Sequence, residues 1–247
     1  MFIVANWKAY VEDIGKARRL FAVSKRLTHV SKNKIILAPP APILGALAFK
    51  NKSRITFAAQ DISLTTGGAK TGEVTARVYA AVGAEYAIIG HSERRAAGDT
   101  NTIIAEKLAH ALAQGLVPIL CVGECIRDDE GQYLSFVREE ITSAIKTLAP
   151  KERTKVIVAY EPLWTIGKTA ASAISSNELA EMVLYIRKVL AELFPGKNAA
   201  RSSVLYGGSV EPENIRGLAG GSGVDGFLIG HASVDPHIFA TLVKQLN

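Results

Sequence analysis

Two hydrophobic patterns alternate along the chain. Short apolar runs, FIVANW, IILAP, ITFAAQ, YAIIG, VPILCVG, VIVAYEP, SVLYGG and GFLIG, occur eight times. They are continuous, not alternately polar and apolar, which predicts strands buried on both faces in a parallel sheet. Several are followed by segments of helical period. In NELAEMVLYIRKVLAEL, Leu179, Met182, Val183, Ile186, Leu190 and Leu193 fall on one stripe, and Asn177 is positioned to cap that helix. TIIAEKLAHALAQGL and VREEITSAIKTL carry similar stripes, with Gly115 and Pro150 as punctuation after them.

Strand and helix alternating through the whole chain imply parallel strands joined by right-handed crossovers, and eight such units imply closure into an α/β barrel. The structural rival is an open doubly wound sheet. That fold usually carries G-x-G-x-x-G after its first strand, where this chain reads ANWKAY. Repeats, low-complexity tracts and long linkers are absent. The one lengthy Gly and Ser cluster, LAGGSGVDG, falls between two predicted strands, so residues 1–247 read as a single domain.

Composition narrows the function classes. With 48% hydrophobic and 21% charged residues, the 247-residue chain has the makeup of a globular protein with a large core. The formal net charge is +6, but the 29 basic residues are scattered without a polybasic run or interleaved aromatics, which argues against nucleic acid. A mildly basic surface suits small anions such as phosphorylated metabolites. The sequence shows no apolar run long enough for a bilayer and no signal-peptide pattern at its start, giving an expectation of no membrane association and a cytoplasmic location. Only two cysteines occur, Cys121 and Cys125, without Cys or His at metal-ligand spacing; they read as strand core and free thiol in a reducing compartment.

In an α/β barrel the C-terminal strand ends share one face, so polar residues there converge. The first strand ends with Asn6 and Lys8, the fourth runs into GHSERR, the sixth delivers Glu161, and the last two end in YGGS and IGHAS. Singly, each has a plain explanation: a solvated lysine, a turn-capping histidine, glycines for turns. Together they form a constellation that packing does not require. Glycine turns running into helices present N–H groups suited to phosphate. His91 ahead of a helix start favours a neutral ring that can donate to a carbonyl oxygen. Glu161, shielded from water, becomes a stronger base, and Lys8 offers fixed positive charge to a developing oxyanion. This chemistry is proton transfer beside a carbonyl.

These residues resemble the triosephosphate isomerase family over essentially the entire chain. ANWK, GAKTGEVTA, IIGHSERR, LCVGE, AYEPLW, YGGSV and VDGFLIG occur in the family's order and at compatible spacing. The resemblance implies a single closed (β/α)8 TIM barrel. It also implies interconversion of dihydroxyacetone phosphate and glyceraldehyde 3-phosphate through an enediol, with neither metal nor cofactor. A neutral histidine electrophile and a closing lid are known of this family and are inherited with it. Glu161 would be the base, His91 the electrophile, and Lys8 with Asn6 the charge stabilisers, with Glu93 a further carboxylate near Lys8. Gly167 of the lid, Ser209, Gly230 and His231 match backbone donors to phosphate. Thr71 lies on a loop that enters the partner subunit's site in the family, and Glu73 and Arg94 match a salt bridge between subunits, implying a homodimer.

The departures are local. The family's lid usually reads W-A-I-G-T-G-K, whereas this chain has WTIGKTAAS followed by a longer ASAISS stretch, which leaves the lid partners of Tyr206 and Ser209 open. The usual second glycine after the last strand is His231. Its side chain either points away from phosphate or adds a cationic or hydrogen-bonding group there. ERRAAGDTN lacks the bulky residue common after the two arginines, and Ala9 and Tyr10 stand where methionine and asparagine are favoured, which predicts altered packing under His91 and at the subunit interface. The alternative function is a phosphate-binding barrel with impaired catalysis that acts as a binding protein. An ATPase reading of IGKT fails because Pro162 occupies the required glycine position.

Overall fold

We describe the fold from a computed structural model, which describes residues 1–49, 51–165, 173–194 and 202–247. Every one of the predicted apolar runs forms a strand. In chain order the elements are β1 (Phe2–Asn6), α1 (Ile14–Val30), β2 (Lys34–Ala38), α2 (Ala41–Ala48), β3 (Thr56–Ala59), α3 (Ala76–Ala81), β4 (Tyr86–Ile89), α4 (Ser92–Ala96) and α5 (Asn101–Ala113). There follow β5 (Val117–Val122), α6 (Gln132–Ile145), α7 (Pro150–Arg153), β6 (Ile157–Tyr160), α8 (Ser176–Leu193), β7 (Val204–Tyr206), α9 (Ile215–Gly221), β8 (Gly226–Ile229) and α10 (Pro236–Gln245).

Each strand pairs in parallel with the next, and β8 returns to β1 with Phe2 opposite Gly226 and Ala5 opposite Ile229, closing the barrel. The closed barrel explains why the strands are apolar throughout. Val4, Ile36, Ala38, Ile88, Cys121 and Leu228 fill the interior, while their neighbours Ile3, Ala5, Ile35, Leu37 and Ile89 pack under the helices. Alternate side chains of a strand point to opposite faces, so a strand with core on both sides has no polar phase. Cys121 lies in the buried interior as expected, and Cys125 is exposed.

The helix ends differ in two places from the sequence reading. α8 is capped by Ser175, not Asn177: the Ser175 hydroxyl accepts from the Glu178 N–H while the Glu178 carboxylate accepts from the Ser175 N–H. This reciprocal pair satisfies donors at both positions, and Asn177 falls inside the first turn. The predicted stripe is otherwise sound, with Leu179, Met182, Val183, Ile186 and Leu190 buried and Leu193 half-buried. Pro150 does not only end a helix; it opens the short α7, where its missing N–H is no loss. Gly115 follows α5 with φ 77°, the left-handed conformation expected of a residue that terminates a helix.

Candidate active site

β1 delivers Asn6, and the chain turns sharply two residues later. Trp7 is buried and anchors the turn, and Lys8 takes φ 47°, the one non-glycine residue with positive φ among those described. A left-handed lysine costs about 1 kcal/mol or more and persists only where its surroundings hold it. They do so here. Asn6 Oδ1 accepts the Lys8 N–H at 3.1 Å, and the Gln60 amide donates to Lys8 O at 2.9 Å and to Ala38 O at 2.8 Å. The strain aims the Lys8 stem across the barrel mouth, where Nζ meets Glu93 Oε1 at 2.7 Å.

β4 leads into Gly90, and His91 caps α4. Its Nδ1 accepts the Glu93 N–H at 3.2 Å. An accepting Nδ1 carries no proton, so in the neutral ring the proton sits on Nε2. That nitrogen faces Glu161 Oε1 at 3.4 Å. In a neutral ring the donor edge is therefore the one that faces the cleft. Partial burial opposes ionisation of Glu93, but the hydrogen bond from Lys8 and the nearby Lys8 charge outweigh it and hold this carboxyl below its ordinary range. Beneath His91, Arg95 donates to Gly90 O at 2.9 Å and to Asn101 Oδ1 at 2.7 Å.

β6 delivers Glu161, whose N–H continues the ladder to Val122 O at 2.8 Å. The residue is 2% exposed, and Oε2 accepts the Ser92 N–H at 3.3 Å. Two glycines make this position possible. A Cβ on Gly123 would lie 1.9 Å from Glu161 O, and one on Gly207 would lie 2.8 Å from Glu161 Cγ. Behind the same strand end, Glu124 Oε1 accepts from the Tyr160 hydroxyl and from Trp164 Nε1, each at 2.8 Å, tying the end of β5 to the 3-10 turn Leu163–Thr165 that leads away from Glu161.

Glu140 of α6 supports Gly123 from below, accepting its N–H at 2.8 Å and pairing with Arg95 at 3.1 Å. Burial pushes the Glu140 carboxyl up to about 7, against the opposing pull of Arg95 and the Gly123 N–H. The unfolded chain releases this proton near the ordinary value of 4.5, whereas the folded protein keeps it to about 7. The group's contribution to stability is therefore present in acid and lost as pH rises between those two values. Glu140→Gln should flatten this decline in a thermal-denaturation series from about pH 5 to about pH 8. An identical slope in native protein and variant would count against it.

At the opposite end of the cleft, Ser209 follows β7, and Gly230 with His231 follows β8. Together with Asn6, Lys8, His91 and Glu161 they line one cavity of about 370 Å³ at the C-terminal mouth of the barrel. The Ser209 hydroxyl donates to Thr165 O at 2.8 Å, which ties it to the start of the segment that contains Gly167. Gly167 itself, and with it most of WTIGKTAAS, lies outside the described residues. His231 begins the 3-10 turn His231–Val234, and its ring stands edge-on to Tyr10, centroids 5.5 Å apart at 82°. Both residues border the cavity, as does Glu211.

The residues expected at a subunit boundary lie elsewhere. Thr71 and Glu73 are exposed on the loop after β3. Arg94 Nε pairs with Asp61 Oδ2 at 2.9 Å within its own chain, in a network where Lys107 also bridges Asp61 and Asp99. Glu73 and Arg94 border a common groove.

The sequence reading assigned nothing to Gln60, Glu124, Glu211 or Tyr160, although Glu124 lies inside LCVGE. Gln60 and Glu124 act on backbone or side chains of other strand ends, a relation with no local signature. Tyr10 was visible only as a departure from a motif.

Comparison with known proteins gives a family model of triosephosphate isomerase matching residues 1–246. The chain is 36% identical over 247 residues to a triosephosphate isomerase of Thermus thermophilus, covering 99% of this chain and 98% of the relative. It is 38% identical over 249 residues to a triosephosphate isomerase of Porphyromonas gingivalis, covering 98% and 97% of the two chains. A third relative bearing that name, from Moorella thermoacetica, is 37% identical over 247 residues, covering 98% and 97%.

Proposed function

The chain belongs to the triosephosphate isomerase family, and we propose from that premise a working division of labour among the residues of its cleft. The protein is an intramolecular aldose–ketose isomerase that interconverts dihydroxyacetone phosphate and glyceraldehyde 3-phosphate. The observation that carries the residue roles is the meeting of Lys8, the Nε2 edge of His91 and the buried Glu161 carboxylate in one cavity, with glycine turns at its other end.

Phosphate sits at the Ser209, Gly230 and His231 end, with Gly167 as the lid's donor, and places the three-carbon portion toward His91. Glu161 rotates away from the Ser92 N–H and removes a proton from the carbon beside the carbonyl. The electron pair of that C–H bond forms the enediolate double bond, and the carbonyl π pair moves onto oxygen. Lys8 Nζ and the neutral His91 Nε2–H face that oxygen and stabilise its charge. His91 donates its proton to one oxygen and recovers one from the other, after which Glu161 returns its proton to the neighbouring carbon. Every proton is accounted for by these side chains, so the scheme calls on no metal or cofactor. Asn6 acts through Lys8, whose N–H it accepts, and Glu93 through both Lys8 and the His91 tautomer.

The functional unit is a homodimer in this reading, with Thr71 reaching the partner's cleft and Glu73 pairing with Arg94 across the boundary. Arg94's existing bond to Asp61 would then be shared or exchanged. No helix among the described residues is long and apolar enough to cross a membrane, and two free cysteines suit a cytoplasmic setting.

The test is a coupled assay with dihydroxyacetone phosphate as sole substrate, run in deuterated water. We expect turnover together with solvent deuterium on the product's exchanged carbon, and a solution mass twice 26.4 kDa by light scattering. Purified folded protein with neither turnover nor exchange would refute the isomerase reading, and a monomer mass would refute the dimer.

A further inference from the structure

The far end of the cleft carries charge that the scheme above does not use. Glu211, half-buried on the loop after β7, borders the same cavity as Ser209 and Gly230. A carboxylate so placed repels a phosphate dianion unless something balances it. The group positioned to do so is His231. Its ring is braced by the edge-on contact with Tyr10, 5.5 Å between centroids, and the turn that carries it lies against the Lys8 stem, since a Cβ on Gly230 would be 3.6 Å from Lys8 Cε.

The charged and titratable groups around this ring come from every packed segment. Lys8 and Tyr10 approach from the loop after β1, Glu211 with Glu213 behind it from the loop after β7, and Asp235 with His237 beyond it from the residues that follow His231. Burial and the neighbouring Glu213 raise the Glu211 carboxyl, and His231 opposes that rise, so the two groups act on each other through space.

Resting on the reading of this cavity as a triose phosphate site, we infer that the His231 side chain is an anion-binding group at its phosphate end, cationic when protonated and sharing that end with Glu211. The cleft then holds phosphate by backbone donors and by one titratable charge. Affinity for a dianion is highest while the ring is protonated and falls as pH rises through the imidazole range, where Glu211 is left unbalanced.

Sulfate is the probe, because it remains a dianion throughout and its binding requires no catalysis. Its dissociation constant, measured by calorimetry and checked by competition with substrate, should rise roughly tenfold between about pH 5.5 and about pH 8, the size expected of one charge acting over several ångströms at a partly solvated site. His231→Asn should abolish most of that rise. Glu211→Gln should tighten sulfate chiefly at the alkaline end. A native constant that does not move with pH, or an asparagine variant with the native slope, overturns the inference. Normal isomerase turnover beside a flat sulfate profile would refute His231 alone. A His231-dependent profile in a protein without turnover would uphold the anion site and refute the reaction assigned to it.

Discussion

Glu161→Gln should lower kcat roughly a thousandfold, within the range lost when a positioned general base is removed. Glutamine keeps the shape and can still accept the Ser92 N–H, so the cleft survives while the basic oxygen pair does not. Sulfate affinity should stay near native, which separates lost chemistry from lost binding. Stability should hold or rise. The native carboxylate is 2% exposed, and the Ser92 N–H at 3.3 Å, the His91 edge at 3.4 Å and the Cys121 thiol are modest compensation for a buried charge. A site that holds a poorly solvated base gives up stability for reactivity. Steady-state kinetics with a thermal melt decide the matter: near-native kcat in a folded variant would remove Glu161 from the role of base.

Gly123→Ala should damage fold and chemistry together. The added Cβ would fall 1.9 Å from Glu161 O and 2.4 Å from its carbonyl carbon, both backbone atoms that no rotamer change can move aside. The ends of β5 and β6 must separate, which strains the Glu161 N–H bond to Val122 O and the Gly123 N–H bond to Glu140. Overpacking of this kind costs on the order of 3 kcal/mol. A base displaced by about 1 Å loses roughly a hundredfold in rate. The expected signature is a lower melting temperature with a kcat loss larger than any loss of sulfate affinity. A variant with native melting and native kcat would show that the two strand ends are not held as closely as the geometry requires.

Much of this was legible along the chain. Eight apolar runs without a polar phase announced strands with core on both faces, and the closed barrel is what such strands build when β8 meets β1. The polar residues at strand ends were legible for the same reason, since parallel strands present their C-terminal ends on one face. The cap of α8 was legible too and was misread: Ser175 and Glu178 stand at capping-box spacing, and Asn177 between them is a good capping residue type in the wrong place.

The sequence by itself determined the kinds of element, their order and the chemical types gathered at the barrel mouth, because periodicity and local capping are properties of a few neighbouring residues. Tertiary structure alone decided the rest. The left-handed Lys8 depends on Gln60, the base's position on the space at Gly123 and Gly207, the tie between β5 and the Leu163–Thr165 turn on Glu124, and the Tyr10–His231–Glu211 cluster on three separate loops. Those relations join residues tens to hundreds of positions apart, and they come into being only when the barrel closes and brings its strand ends within hydrogen-bonding reach.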